Sequence, residues 1–368
     1  MKLFLLCSFL FCLFFYAHCA ESNDDGSESS DGPSARGIRH WSKRDRVILD
    51  CDGGLADITG LLILLRAEAR HKGPRIHAVT LTRREILVEE LGKNVARALV
   101  LENRPEIPYF LGADASLTDT PFIGGRRFGN DALGDVPYDP TGLPPPQKEI
   151  AALALIRMVN ELKGNAVIIT TGALTNIALA LRLDKTFLSK VKTIFIGAGA
   201  VAGIGGNVLP GIEYKAWRDP EALRAVLSNT HYQSTYLFAN DAAFEANADI
   251  PTKFWMDKFF AIQDPTVQFI KAASQVYWNN GAPEGYALND PMVVSTFIFP
   301  RIIESCEPHS VTVSTACECR GALFGGVTDF SNWRDDPEKS NVYVIKKIDA
   351  KGYVNGLLKL FGPEKSDK

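Results

Sequence analysis

From Arg46 onward the chain alternates short aliphatic runs with longer stretches in which apolar side chains recur at helical spacing. Arg46 to Asp50 reads RVILD, a run suited to a buried strand, and Leu55 to Ala69 follows with Ile58, Leu61, Leu62 and Leu65 three and four residues apart. Ile76 to Leu81 is again strand-like, and a helical pattern then runs to about Leu101. The alternation resumes with a strand over Ala166–Thr171, a helix over Leu174–Leu183, a strand over Lys192–Ile196 and a helix opening at Asp219-Pro220-Glu221. This order predicts an α/β fold: one large domain, residues 44–364, with a mostly parallel central sheet flanked by helices on both faces. After Pro300 the pattern turns β-rich around Ser310–Thr315 and Val342–Ile348 and closes with a short helix. Gly112–Pro146 and Gly197–Ile212 are irregular and too long for plain connectors, the kind of loop that carries function.

The N-terminal region follows other rules. Leu3–Tyr16 is continuously apolar, preceded by Lys2 and followed by Ala17-His18-Cys19-Ala20, the layout of a secretory signal rather than of a membrane span, which needs about 20 apolar residues. Residues 1–19 are therefore expected to be removed and the mature protein to be secreted, with no membrane attachment after signal removal. Residues 20–43 are rich in Ser, Gly and Asp and are expected to form a flexible leader. Cys51, Cys306, Cys317 and Cys319 would remain in a compartment that permits disulfides. Cys317 and Cys319 would share a face if their run is a strand, so that either could meet Cys306, while Cys51 reads as a buried thiol. Across all 368 residues, 46% are hydrophobic and 23% charged, which supplies a real core. Forty basic against 43 acidic residues, a net −3, provide no positive field for nucleic acid.

In an open α/β sheet ligands bind beyond the carboxyl ends of the strands, which directs attention to the first strand-to-helix junction. It reads Asp50-Cys51-Asp52-Gly53-Gly54-Leu55-Ala56-Asp57. Three carboxylates around a Gly-Gly turn repel one another, and a hard divalent cation would relieve that repulsion through oxygen ligands. The plainer reading is solvated acids at a strand end, with one of them capping the helix. Asp50-x-Asp52-Gly53 resembles the opening of the haloacid-dehalogenase phosphatases, and Tyr286–Asp290 their last acidic motif, but Gly54 stands where that family has Thr or Ser and no middle motif with a phosphate-binding lysine follows.

A fuller set of motifs, in order, resembles the inosine/uridine-type nucleoside hydrolases. Asp50–Asp57 is similar to their Asp-x-Asp-x-Gly-x-Asp-Asp opening, and Thr171 with Gly172-Ala173-Leu174-Thr175-Asn176-Ile177-Ala178 to their Thr-Gly-x-Leu-Thr-Asn-Ile-Ala segment. Gly206-Asn207, Glu213-Tyr214-Lys215 and Asp219-Pro220-Glu221-Ala222 resemble their Gly-Asn, Glu-Phe-Asn and Asp-Pro-Glu-Ala run. Phe128–Asp135 resembles a weakened His-Gly-Lys-Asp-Gly-Leu-Gly block, and Asn289-Asp290-Pro291 a His-Asp pair. The resemblance covers roughly Val47–Phe361. It implies a Ca2+ held by Asp52, Asp57, Asp290 and the Thr171 carbonyl, with Asp52 as general base for a metal-bound water that attacks the anomeric carbon of a nucleoside or related ribosyl compound. It also implies ribose contacts from Asn207 and Glu213, for which the plainer readings are a loop-turn residue and a surface acid, and a possible homo-oligomer.

The departures are as specific as the matches. Ala56 replaces a ribose-binding Asp, Arg84-Glu85 a Gly-Asn pair, Lys215 an Asn, and Asn289 and Phe128 two histidines. Glu85, Lys215 and Asn289 are candidate substrate-binding residues with Asn207 and Glu213; one expectation is that Glu85 and Lys215 pair across a rebuilt pocket, and the alternative sends Lys215 to solvent and Glu85 to an exposed helix start. Arg83 and Arg84 are suited either to an anionic group or to a solvated face. Two functional classes follow: an N-glycosyl hydrolase with an altered sugar and base pocket, or a catalytically impaired descendant that keeps Ca2+ and binds a ligand or a protein partner.

Overall fold

The computed structural model describes residues 41–122, 126–280, 288–325 and 340–363. The expected signal segment, most of the leader, and Tyr286 and Ala287 lie outside the described residues.

The first crossover is β1 (Arg46–Cys51), α1 (Leu55–Ala69), β2 (Arg75–Leu81), followed by α2 (Val88–Leu101) and β3 (Tyr109–Leu111). The second half of the sheet is built by α3 (Ala151–Leu162), β4 (Ala166–Thr170), α4 (Thr175–Leu183) and β5 (Thr193–Gly197). Helices α5 (Tyr214–Arg218) and α6 (Pro220–Leu227), β6 (Thr235–Phe238), α7 (Asn240–Ala248), α8 (Pro265–Ala273) and α9 (Gln275–Asn279) come next. The chain ends with α10 (Asp290–Ile298), β7 (Ile303–His309), β8 (Val311–Val313), β9 (Leu323–Gly325), β10 (Val342–Ile348) and α11 (Ala350–Phe361). Eight strands form one sheet in the order β3-β2-β1-β4-β5-β6-β10-β7, parallel except where β7 runs antiparallel to β10. β8 and β9 pair separately.

The period-2 alternation of side chains divides the core. Val47, Leu49 and Cys51 point to the face covered by α1, α2, α10 and α11, while Ile48 points to the face covered by α3, α4 and α6. Helix α1 is buried on nearly all sides, from Ile58 through Leu65, because it packs against β2 of the sheet and against α2, α8, α10 and α11. Among the described residues no helix is long and apolar enough to cross a membrane. Each predicted strand and helix is present within a residue or two of its expected limits. Gly112–Pro146 and Gly197–Ile212 form no regular element among the described residues.

The cysteine expectation is corrected. Cys317–Cys319 form a 3-10 turn, not a strand, with Cys317 in the left-handed region at φ 58°, and all four thiols are free. Cys51 is buried as expected.

One ionic cluster fastens three helices beside the core. Arg66, near the end of α1, bonds the carboxylate of Glu102, which follows α2, at 2.9 Å and that of Asp264, the N-cap of α8, at 2.7 Å, and it also donates to Thr266 Oγ1. Burial works to raise the Asp264 carboxyl, but the Arg66 hydrogen bond and charge, with two backbone amides, hold it below the usual carboxylate range. A carboxyl lowered by folding stabilises the native state above its unfolded value of about 3.9 and ceases to do so as pH falls through the folded value. Arg66→Ala should therefore cost about 2 kcal/mol at pH 7 in urea unfolding, because it strands two half-buried carboxylates. The difference from wild type should shrink toward pH 3, and a penalty independent of pH would contradict this account.

Candidate active site

Strand β1 pairs with β2 on one side and β4 on the other, so the chain reverses its direction of winding between β1 and β4. Such a switch point opens a crevice at the carboxyl ends of the two strands. Asp52 follows β1 and Thr171 follows β4, and both line a cleft of about 420 Å³. Asp57 of α1, Arg84 and Glu85 after β2, Asn207, Glu213, Tyr214, Lys215, Asn289 and Asp290 complete most of its wall. The four positions that the resemblance assigns to a metal thus converge, and so do the expected sugar contacts.

The carboxylates are already engaged. Gly53 turns the chain at φ +66°, and Asp57, at the third position of α1, folds back to close the helix start. Its Oδ1 accepts from the Thr171 hydroxyl at 2.6 Å and from the Asp52 amide at 3.2 Å, and its Oδ2 from the Gly54 amide at 3.3 Å. The plainer reading of one acid as a helix cap is correct for Asp57, but the acids are not solvated. Arg84 Nη1 donates to Asp52 Oδ1 at 3.0 Å while its Nε donates to Glu85 at 2.9 Å. Lys215 Nζ donates to Asp290 Oδ1 at 2.5 Å. Burial opposes the Lys215 charge, but Asp290 and Glu213 outweigh it and hold the ammonium above its ordinary value. Burial, Asp52 and Asp290 together push Asp57 well above the usual carboxylate range.

The expected Glu85–Lys215 pair does not form. Glu85 is taken by the neighbouring Arg84, which also holds Asp52, and Lys215 is taken by the buried carboxylate of Asp290. Neither Arg84 nor Lys215 reaches open solvent as the alternative reading had it. Arg83 bonds Asp114 at the surface.

Glu213 is buried and caps α5, its Oε2 accepting from the amides of Gly199, Lys215 and Ala216, so it is no surface acid. Asn207 Oδ1 accepts from the Tyr214 amide at 2.7 Å, tying its loop to the same helix. Asn289 lines the cleft, but its side chain bonds Asn240 and Asn247 of α7. Phe128 stacks on Tyr277 with centroids 5.4 Å apart, and Ala56 presents its methyl group to the cleft.

Several residues support the site in ways the sequence reading did not assign. Asp241 accepts from four loop amides, those of Val201, Ala202, Ile204 and Gly205, at 2.6–3.2 Å, and so shapes the loop that carries Asn207. Asn240 ties the Gly205 carbonyl to Asn289. Asp50 lies beneath the cleft, accepting from Thr80 and Asn176, and burial pushes its carboxyl up to about 7. Tyr214 lines the cleft with its hydroxyl buried and without a hydrogen-bond partner, and Arg127 caps the Tyr277 ring at the rim. Asp50 and Tyr214 were legible only as members of their motifs, and the bonds of Asp50, Asn240 and Asp241 go to residues far off in the chain.

Comparison with known proteins now decides the family. A family model described as inosine-uridine preferring nucleoside hydrolase matches residues 47–355. The chain belongs to this family. It is 30% identical to uridine nucleosidase 1 of Arabidopsis thaliana over 56% of this chain and 60% of that protein. It is 26% identical to a pyrimidine-specific ribonucleoside hydrolase of Salmonella gallinarum over 84% and 96% of the respective lengths. Among solved structures, a plant nucleoside hydrolase superposes with a TM-score of 0.76 at 23% identity, over 87% of this chain and all of the other. An inosine-guanosine nucleoside hydrolase gives 0.73 with the same identity and coverage. The parallel eight-stranded architecture is that of the nucleoside hydrolases.

Family members are metal-dependent, so the fit of this donor set to a metal is a concrete question. The donors are oxygens, as Ca2+ prefers. Yet Asp52 and Asp290 each carry a charge-assisted bond to a cation of this chain, and both oxygens of Asp57 accept hydrogen bonds. Among the described residues no group of three or more His, Cys, Asp or Glu side chains is arranged to hold a metal ion. As folded, the site does not fit the metal that the resemblance implies.

The Asp241 clasp is directly testable. Asp241→Ala leaves four loop amides without that acceptor, the Gly205 amide buried, and the protein should lose about 2 kcal/mol in chemical denaturation. Hydrogen exchange should accelerate at Val201–Gly205 before the sheet is affected. Unchanged protection there would show that the loop is held by other contacts.

Proposed function

We propose that this nucleoside hydrolase family member cleaves the N-glycosidic bond of a nucleoside or related ribosyl compound in the cleft at the β1/β4 switch point. The observation that carries the reading is the convergence of Asp52, Asn207 and Glu213 on one cleft of about 420 Å³, from three separate segments of the chain. Asp52 takes the proton from a water that attacks the anomeric carbon, while the C–N bond breaks and its electron pair leaves with the base. Arg84 holds Asp52 Oδ1 and so orients the carboxylate. Asn207 and Glu213 supply polar contacts for sugar hydroxyls. Glu85, Lys215 and Asn289 line the same cleft, each already bonded to another residue of the chain. The apolar segment Leu3–Tyr16 supports action outside the cell.

The described lining contains no histidine, and Asn289 has no proton to give a departing base at neutral pH. Leaving groups that depart without protonation should therefore be favoured. A p-nitrophenyl riboside should be cleaved at least about 100-fold faster than inosine or uridine, the usual contribution of a general acid, and Asp52→Ala should abolish both reactions. Equal rates would show that an acid is present after all.

The pairing of Asp52 and Asp290 with cations also favours a second reading, a binding protein that no longer turns over nucleosides. No sugar release from any riboside, together with saturable nucleoside binding in calorimetry, would establish it.

A further inference from the structure

We propose that Lys215 and Arg84 are built-in replacements for a divalent cation, so that this chain neutralises its buried carboxylate cluster with tethered charges and excludes Ca2+ from it. The inference concerns the charge of the site and holds whether or not nucleosides are cleaved there.

Four of the six oxygens of Asp52, Asp57 and Asp290 are engaged: both of Asp57, one of Asp52 by Arg84 and one of Asp290 by Lys215. The two cations arrive from different elements, Arg84 from the segment between β2 and α2 and Lys215 from α5, and each meets a different acid. All four side chains of these pairs are 9–16% exposed, so the bonds lie out of bulk solvent. A Ca2+ ligated by Asp290 Oδ1 would sit about 2.4 Å from an oxygen that already has an ammonium at 2.5 Å. Ion and ammonium would then be no more than about 5 Å apart in a poorly screened cleft, and like charges at that range repel strongly.

Three departures from the family pattern acquire one explanation. Lys215 and Arg84 bring positive charge where the resemblance implies a neutral Asn and a Gly, and Ala56 removes a carboxylate that a metal-free site would have to neutralise. Gly54 makes room for the device, because a Cβ there would run into the Arg84 guanidinium. Glu85 holds the other edge of the same guanidinium.

The test titrates Ca2+ into the mature wild-type protein and into Lys215→Asn/Arg84→Gly, by calorimetry and by the thermal midpoint in CaCl2 against EDTA. Wild type should show no binding up to millimolar Ca2+ and no shift of the midpoint. The double variant should bind at least about 100-fold more tightly than wild type, and its midpoint should rise by several degrees as the metal binds the folded state. Lys215→Gln alone serves if the double variant fails to fold by circular dichroism, and it should gain part of the same affinity. Micromolar binding by wild type would overturn the proposal, since Lys215 would then swing aside for the metal. Absence of binding in both wild type and a folded variant would overturn it equally, because the cations would not be what keeps calcium out.

Discussion

Three carboxylates meet inside the protein at the end of β1 and at the starts of α1 and α10, and they can persist there only if something answers their charge. Asp57 shows the cost, its carboxyl raised by burial and by both neighbours. Lys215 and Arg84 answer it for Asp290 and Asp52, and Thr171 with two backbone amides answers it for Asp57. The placement of nearly every other residue around the cleft follows from satisfying this cluster. Gly54 leaves space for the arginine, Glu85 steadies it, and Glu213 adds negative charge beside Lys215 while capping the helix that carries the lysine.

Beneath and beside the cluster, polar residues fix the loops that hold it. Asp50 and Asn176 join the ends of β1 and β2 to α4, so the floor of the cleft is cross-linked through side chains as well as through the sheet. Asp241 gathers four amides of the Val201–Gly205 segment, and the chain of Asn240, Asn289 and Asn247 links that loop to the start of α10. A loop held in this way can present Asn207 and Tyr214 to a ligand without a large ordering cost on binding. Phe128, stacked on Tyr277 with Arg127 over the same ring, gives the rim an aromatic and cationic character.

The strands and helices were legible because their periods are set locally. RVILD and AVIITT are buried on both faces, and the helical spacing of Ile58 to Leu65 can be satisfied only against a sheet. The Asp-x-Asp opening, the Thr-Asn-Ile-Ala segment and the Gly-Asn to Asp-Pro-Glu-Ala run likewise identified the family and brought Asp52, Asp57, Thr171, Asn207, Glu213 and Asp290 to one place. Their order along the chain maps onto strand ends, and strand ends of a parallel sheet share one edge. What the chain order could not reveal is which charge pairs with which. Lys215 and Glu85 were opposite charges near one site, but only the folded backbone shows that Lys215 reaches Asp290 at 2.5 Å and that Arg84 lies between Glu85 and Asp52. The four-amide clasp of Asp241 and the turn at Cys317 escaped for the same reason. Periodicity and motif order are properties of neighbouring residues, and they determined the fold, the family and the membership of the site. Pairing among buried charges depends on distances of a few ångströms between segments far apart in sequence, and only the tertiary structure sets those.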